Sequence, residues 1–134
     1  MKIIIGVKGT GKTKALIDMA NAALESSKGS VICIEKGDKL RFDIKYQVRL
    51  IDSDEYHVTD AETLYGFVAG ILASNHDVTD LFIESALKIC RNDSVAFDKF
   101  LADMDVLVKK IGVNVVITSS IPVEEASETV KQYL

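Results

Sequence analysis

Short apolar runs alternate along this chain with longer stretches whose apolar residues recur at three and four positions, and the alternation marks out its elements. Residues 2 to 5, Lys-Ile-Ile-Ile, form a β-branched run ending at Gly6, the pattern of a strand buried on both faces. From Lys12 to Ser27 the residues Ala15, Leu16, Met19, Ala20, Ala23 and Leu24 fall on one helical stripe, and Lys28-Gly29 stops it. Val31 to Glu35 predicts a second strand, while Tyr46, Val48 and Leu50 alternate with Lys45, Gln47 and Arg49 as in a half-exposed edge strand. The connection between them, Lys36 to Asp43 with a Gly37-Asp38 turn, spans about eight residues, whereas a parallel crossover needs a dozen or more, so an antiparallel edge pair is expected.

Farther on, a helix is expected from Asp60 to Ser74, capped by Thr59 or Asp60, with Leu64, Phe67, Val68, Ile71 and Leu72 inward. Leu81-Phe82-Ile83-Glu84 predicts a strand. A polar loop then reaches Ser94, the expected cap of a helix that carries Phe97, Leu101, Met104, Val108 and Ile111 and stops at Gly112. Val113 to Thr118 predicts the last strand, and Pro122 with Glu124 and Glu125 opens a terminal helix to about Tyr133. Strands and helices in this order predict an α/β, three-layer αβα fold: a mainly parallel sheet of about five strands, one of them an antiparallel edge strand, with helices on both faces.

Composition narrows the class. The 134 residues hold 48% hydrophobic side chains, enough for a single domain over residues 1–134 that needs neither disulfides nor a structural metal. No apolar run reaches the length of a membrane span, and the apolar segment at residues 3–5 is too short for a signal peptide, so a cytoplasmic chain without a membrane span is expected. Cys33 and Cys90 sit in apolar surroundings without a CxxC partner and read as buried free thiols. With 20 acidic against 16 basic residues, nucleic acid is not supported as a partner. Lys36, Lys39, Arg41, Lys45 and Arg49, interleaved by Phe42 and Tyr46, read as a solvated edge protected by charge. His57 and His76 lack a partner at zinc-ligand spacing, and no serine sits in a G-x-S-x-G elbow.

One motif carries chemistry. Gly6-Val7-Lys8-Gly9-Thr10-Gly11-Lys12-Thr13 fits G-x-x-x-x-G-K-[ST] at every specified position. An accidental match in a chain of this size is on the order of one in a few hundred. It lies between a β-branched strand and an amphipathic helix, the setting in which backbone amides surround phosphate oxygens at a helix N-terminus. Lys8, Gly9, Thr10, Gly11, Lys12 and Thr13 are therefore the expected nucleotide-binding residues, Lys12 on the β- and γ-phosphates and the Thr13 hydroxyl on Mg²⁺.

On these residues the chain resembles the P-loop NTPases, and Gly9-Thr10-Gly11-Lys12-Thr13 is similar to the wording common among ATPases of the RecA and AAA+ kinds. It also resembles a group of short bacterial P-loop proteins labelled after the twitching-motility ATPase PilT. The resemblance implies a P-loop NTPase-like fold, with Glu84 in the place of the Walker B acid that holds the metal or activates water. That place usually holds Asp after four apolar residues, and here only three precede it. Glu35, at the second strand's end, is implied as a catalytic base, and Thr118 and Ser119 as γ-phosphate sensors or helix caps. Asp52 joins the group only if its strand runs parallel to the first.

These readings converge on a Mg²⁺-dependent ATP-binding protein, a slow or partner-stimulated ATPase with Lys12, Glu84 and Glu35 catalytic and Thr13 and Glu84 at the metal. ATP is expected over GTP, because no N-K-x-D or T-K-x-D stretch follows the last strands. Arg41, Arg49 and Arg91 are the only arginines and lie scattered, which disfavours a small P-loop kinase and leaves the arginine finger to a protein partner or a second copy of the chain. The alternative from another class is a nucleotide-binding switch with little or no hydrolysis, which the weakened acid motif favours.

Overall fold

The computed structural model describes residues 1–134. Five strands, β1 (Lys2–Ile5), β2 (Ser30–Glu35), β3 (Arg49–Asp52), β4 (Val78–Ile83) and β5 (Asn114–Ser119), form one sheet in the order β1-β5-β4-β2-β3. Every pairing is parallel, so all five carboxyl ends lie along one rim. Helix α1 (Lys12–Ser26) covers one face; α2 (Ala61–Ser74), α3 (Ala86–Ile89), α4 (Ser94–Ile111) and α5 (Glu128–Lys131) cover the other, which completes the three-layer α/β architecture.

The two faces differ in weight. The α2–α4 side holds a cluster of 26 buried residues built on Ile32, Ile34, Leu81, Ile83, Val115 and Ile117, whereas the α1 side holds 9. α1 alone is too narrow to cover that thinner face. Leu40, Ile44 and Val48 close the gap, packing with Leu16 and Ala20 against Val31, Cys33 and Phe82.

This packing overturns the expected antiparallel edge. β2 and β3 pair in parallel, Ile34 opposite Ile51 and Glu35 opposite Asp52. The strand begins at Arg49, three residues beyond Tyr46, and residues 36–48 form a crossover of turns long enough for a parallel return. Its apolar spacing is four, as in the Ile44 N–H bond to Leu40 O at 2.9 Å, so Val48 is buried while Tyr46 is 91% exposed. Asn21 on α1 fastens the crossover, donating to Asp43 O and accepting from the Lys45 N–H, both at 2.9 Å.

Helix ends follow their local chemistry. Asp60 caps α2 in a reciprocal box with Thr63. Asp93, not Ser94, caps α4, accepting from the Ala96 N–H at 3.1 Å, and α4 stops at Gly112 as expected. The expected helix from Pro122 to Tyr133 is broken. Val123–Glu125 is a single 3₁₀ turn, Ala126 is extended, and Ser127 restarts the chain as α5 by accepting from the Val130 N–H at 3.1 Å. Tyr133 O then accepts from the Ile3 N–H at 2.8 Å, which ties the terminal segment to the free edge of β1. No helix is long and apolar enough to cross a membrane.

The crossover's two faces make a direct test. Leu40→Ala, removing a side chain 4% exposed, is expected to lower unfolding free energy by roughly 2–4 kcal/mol. Phe42→Ala, at 86% exposure, is expected to change it by less than about 0.5 kcal/mol. Urea unfolding of the two variants checks both; equal losses would mean that the crossover is packed differently.

Candidate functional site

β1 delivers the chain to the rim at Gly6, and the loop that follows turns back into α1. Gly6 sits at φ +151°, where a side chain is strained, and a Cβ there would stand 2.7 Å from Thr10 Oγ1. Gly11, at φ +87°, is the left-handed N-cap of α1 and brings no side-chain oxygen to the helix end. The backbone N–H groups of Lys8, Gly9, Thr10, Gly11, Lys12, Thr13 and Lys14 consequently donate to no protein acceptor; the first intrahelical bond is Ala15 N–H to Gly11 O at 3.0 Å. A helix end normally finds a cap, and this one is left as a run of open donors reinforced by the positive end of the helix dipole.

Two contacts hold the loop in that form. Thr10 Oγ1 donates to Val7 O at 2.7 Å, and Lys12 Nζ reaches across the loop to the same carbonyl at 2.9 Å. The Lys12 ammonium has no carboxylate partner, so its positive charge stays available. The donor set suits an anion with several oxygens: open amides, a flexible ammonium and a hydroxyl at Thr13.

Glu84 stands just past β4, two strands from β1. Its Oε1 accepts from Thr13 Oγ1 at 3.0 Å and from Ser85 Oγ at 2.8 Å. The metal-ligating hydroxyl expected from the motif and the strand-end acid thus meet across 71 residues of sequence. Thr13 and Glu84 supply oxygen donors suited to a hard cation such as Mg²⁺, which keeps most of its ligands as water and phosphate. No group of three or more His, Cys, Asp or Glu side chains converges anywhere in the chain.

Glu35 reaches the same cleft, but its oxygens serve the backbone: Oε1 accepts from the Lys39 N–H at 2.9 Å and Oε2 from the Leu40 N–H at 3.0 Å. It is 1% exposed. Burial pushes its carboxyl above the ordinary value of 4.5, Glu84 and Asp52 add to the rise, and the two amides pull against it. Asp52 sits at the carboxyl rim because β3 runs parallel, yet it does not line the cleft. Its Oδ1 accepts from the Gly37 and Asp54 N–H groups at 2.8 and 2.9 Å.

Thr118 and Ser119 are buried and brace a neighbour instead of reaching the loop. Thr118 Oγ1 accepts from the Ser85 N–H at 2.9 Å and Ser119 Oγ from the Leu87 N–H at 3.3 Å, which pins the turn from β4 into α3. Cys33 and Cys90 are free and buried, and burial pushes each thiol up to about 12, so neither is a nucleophile.

Lys8, Gly9, Gly11, Lys12, Thr13, Glu35 and Glu84 line one cleft of about 410 Å³. Lys39, expected on a solvated charged edge, lines it too, together with Lys88, Ser85 and Ser120, which the sequence reading did not place at the site. Lys39 and Lys88 each follow a strand-end glutamate by four residues, on the rim where open α/β sheets bind ligands, and that offset was the available signal. Lys8, Lys12, Lys39 and Lys88 make no ion pair, so the cleft is positive around two carboxylates in a chain of net charge −4. Comparison with protein-family models and with curated proteins finds no match to this chain.

The Glu35 environment carries a pH signature. A carboxyl raised on folding leaves the native state holding its proton longer than the unfolded chain, so its penalty is absent below pH 4.5 and grows as pH rises through the raised folded value. Glu35→Gln is expected to remove this decline, giving a melting temperature whose loss between pH 4.5 and neutrality is smaller than in the parent. Parallel melts across pH check it; identical slopes would show that Glu35 ionises as it does in water.

Proposed function

We propose that this chain is a Mg²⁺-dependent ATP-binding protein of the P-loop NTPase kind, built on the loop from Gly6 to Thr13. One observation carries the reading: the open amides from Lys8 to Lys14 lie beside Lys12, and Thr13 of the same loop is hydrogen-bonded to the strand-end acid Glu84. A turn serving the fold alone needs neither a run of unpaired donors nor a hydroxyl joined to a distant carboxylate.

The residues divide the work by chemistry. The loop amides and Lys12 bind and orient the triphosphate, with Lys12 exchanging its bond to Val7 O for phosphate oxygens. Thr13 and Glu84 would hold the cation, which when bound neutralises charge on the β- and γ-oxygens. Lys8, Lys39 and Lys88 add positive potential that draws the anion in.

Slow turnover, or a switch that binds ATP with little hydrolysis, is the form of this function the site favours. Glu84 Oε1 already takes two hydroxyls, which leaves only its Oε2 open, and each oxygen of Glu35 takes a backbone amide, so Glu35 has no oxygen free to draw a proton from water. An arginine from a second copy or a protein partner would supply the charge that the cleft lines only with lysines.

Binding to the folded form raises stability by about 2.7 kcal/mol at a hundred times Kd. Mg²⁺-ATP is expected to shift the melting temperature upward by several degrees in the parent and to give no shift in Lys12→Ala. Thr13→Ala and Glu84→Gln are expected to retain a residual shift that no longer depends on Mg²⁺. A thermal-shift series with ATP and GTP, with and without Mg²⁺, reads all of this, and a parent that ignores every nucleotide at millimolar concentration refutes the proposal.

A further inference from the structure

We infer that a second ligand, a small organic phosphate, binds next to the nucleotide in a basic pocket that shares Lys88 with the phosphate cleft. Its pairing with ATP rests on the nucleotide reading above, while its own binding does not. The pocket has a volume of about 430 Å³ and is lined by Lys36, Val58, Thr59, Lys88, Ile89 and Arg91. That volume falls within the roughly 300–1,000 Å³ typical of small-molecule sites. It stands on the same carboxyl rim, between the end of β2, the residues leading into α2, and α3.

The charge of the lining is one-sided. Three of the six residues are cations and none is a carboxylate, although acids outnumber bases in the chain, 20 to 16. Lys36 is held at the rim by Asp54 Oδ1 at 2.8 Å. Lys88 and Arg91 make no ion pair, and the Thr59 hydroxyl makes no hydrogen bond. Asp60 lies beside Thr59 but turns its carboxylate to the Thr63 N–H as the α2 cap. Asp54 pairs with Lys36, and the Asp60 carboxyl, held below its ordinary value chiefly by the Thr63 amide, also feels Arg91, so both acids temper the field and the ligand that gains most is one reaching Lys88 and Arg91 together.

The backbone at Arg91 is unusual in the same sense. Arg91 and Asn92 are consecutive non-glycine residues in the left-handed region, at φ +61° and +57°. Such a conformation persists only where the surroundings enforce it. Here the Asn92 N–H bonds to Leu87 O at 2.9 Å and Ile89 anchors the turn in the core at 2% exposure. A planar guanidinium with five donors, set on a fixed turn beside a lysine and a free hydroxyl, matches a phosphate group better than a point charge does. Val58 and Ile89 give the pocket an apolar floor for the body that carries it.

Lys88 lines both cavities, which places one ammonium between two anions and makes the rim a two-ligand site. Pyrophosphate serves as the probe. Titrated into the chain saturated with Mg²⁺ and a non-hydrolysable ATP analogue, it is expected to give one further binding event by calorimetry. Arg91→Gln is expected to weaken that event at least tenfold with nucleotide affinity unchanged within about twofold, and Lys88→Gln to weaken both. Melting curves of each variant confirm folding. In a second arm, without Mg²⁺ or nucleotide, Lys12→Ala is compared with Lys12→Ala/Arg91→Gln; pyrophosphate binding that depends on Arg91 there supports the pocket even if ATP fails to bind the parent. Absence of the event in both arms, indifference to Arg91→Gln, or simple competition with the nucleotide overturns the inference.

Discussion

The amides from Lys8 to Lys14 donate to nothing within the protein, and the structure around them is arranged to keep that deficit open. A helix of 15 residues would ordinarily close its first turn with Ser, Thr, Asp or Asn; α1 begins instead at a left-handed glycine that has nothing to offer its own amides. The free energy given up at that end is recovered elsewhere. Leu16 and Ala20 are fully buried on the sheet, so α1 is held by packing and not by its cap.

The parallel sheet gives this open helix end its neighbours. With every strand running the same way, Gly6, Ser119, Glu84, Glu35 and Asp52 all arrive at one rim. Reversing β3 would have carried Asp52 to the other end and left Gly37 without the carboxylate that fixes the start of the crossover. The same crossover carries Lys39 into the cleft, because Glu35 accepts its amide and that of Leu40. Cleft electrostatics and the thinner core are thus joined in one segment: Leu40 packs toward α1 while the neighbouring Lys39 lines the cleft.

Local rules made much of this visible in the sequence. The loop residues, the stripe of α1, the caps Asp60 and Gly112, and Glu84 at the end of its strand follow from spacing and side-chain chemistry over a few positions. What was illegible depended on distant packing. Tyr46 and Val48 look alike in an alternating pattern, and only the uncovered part of the sheet beside α1 decides that apolar residues repeat every four and that Tyr46 faces water. Pro122 with two glutamates looks like a helix start until Ser127, five residues on, takes the Val130 amide and opens a new helix. Thr118 and Ser119 could be placed near the rim but not oriented, since their orientation is set by the Ser85 and Leu87 amides they receive.

Those two hydroxyls also bear on how the acid site behaves. Ser85 is itself left-handed at φ +52°, and its hydroxyl turns back onto Glu84 while its amide is taken by Thr118. Glu84 is therefore fixed from three directions: its own amide bonds to Ile34 O at 2.9 Å, Thr13 donates from α1, and Ser85 donates from the following turn. A carboxylate fixed this way is well placed to hold a hydrated cation in one position and poorly placed to swing toward a water molecule. If the loop takes a triphosphate as proposed, rigidity at Glu84 and full commitment at Glu35 would favour a firm grip on it and leave its cleavage to groups brought from outside.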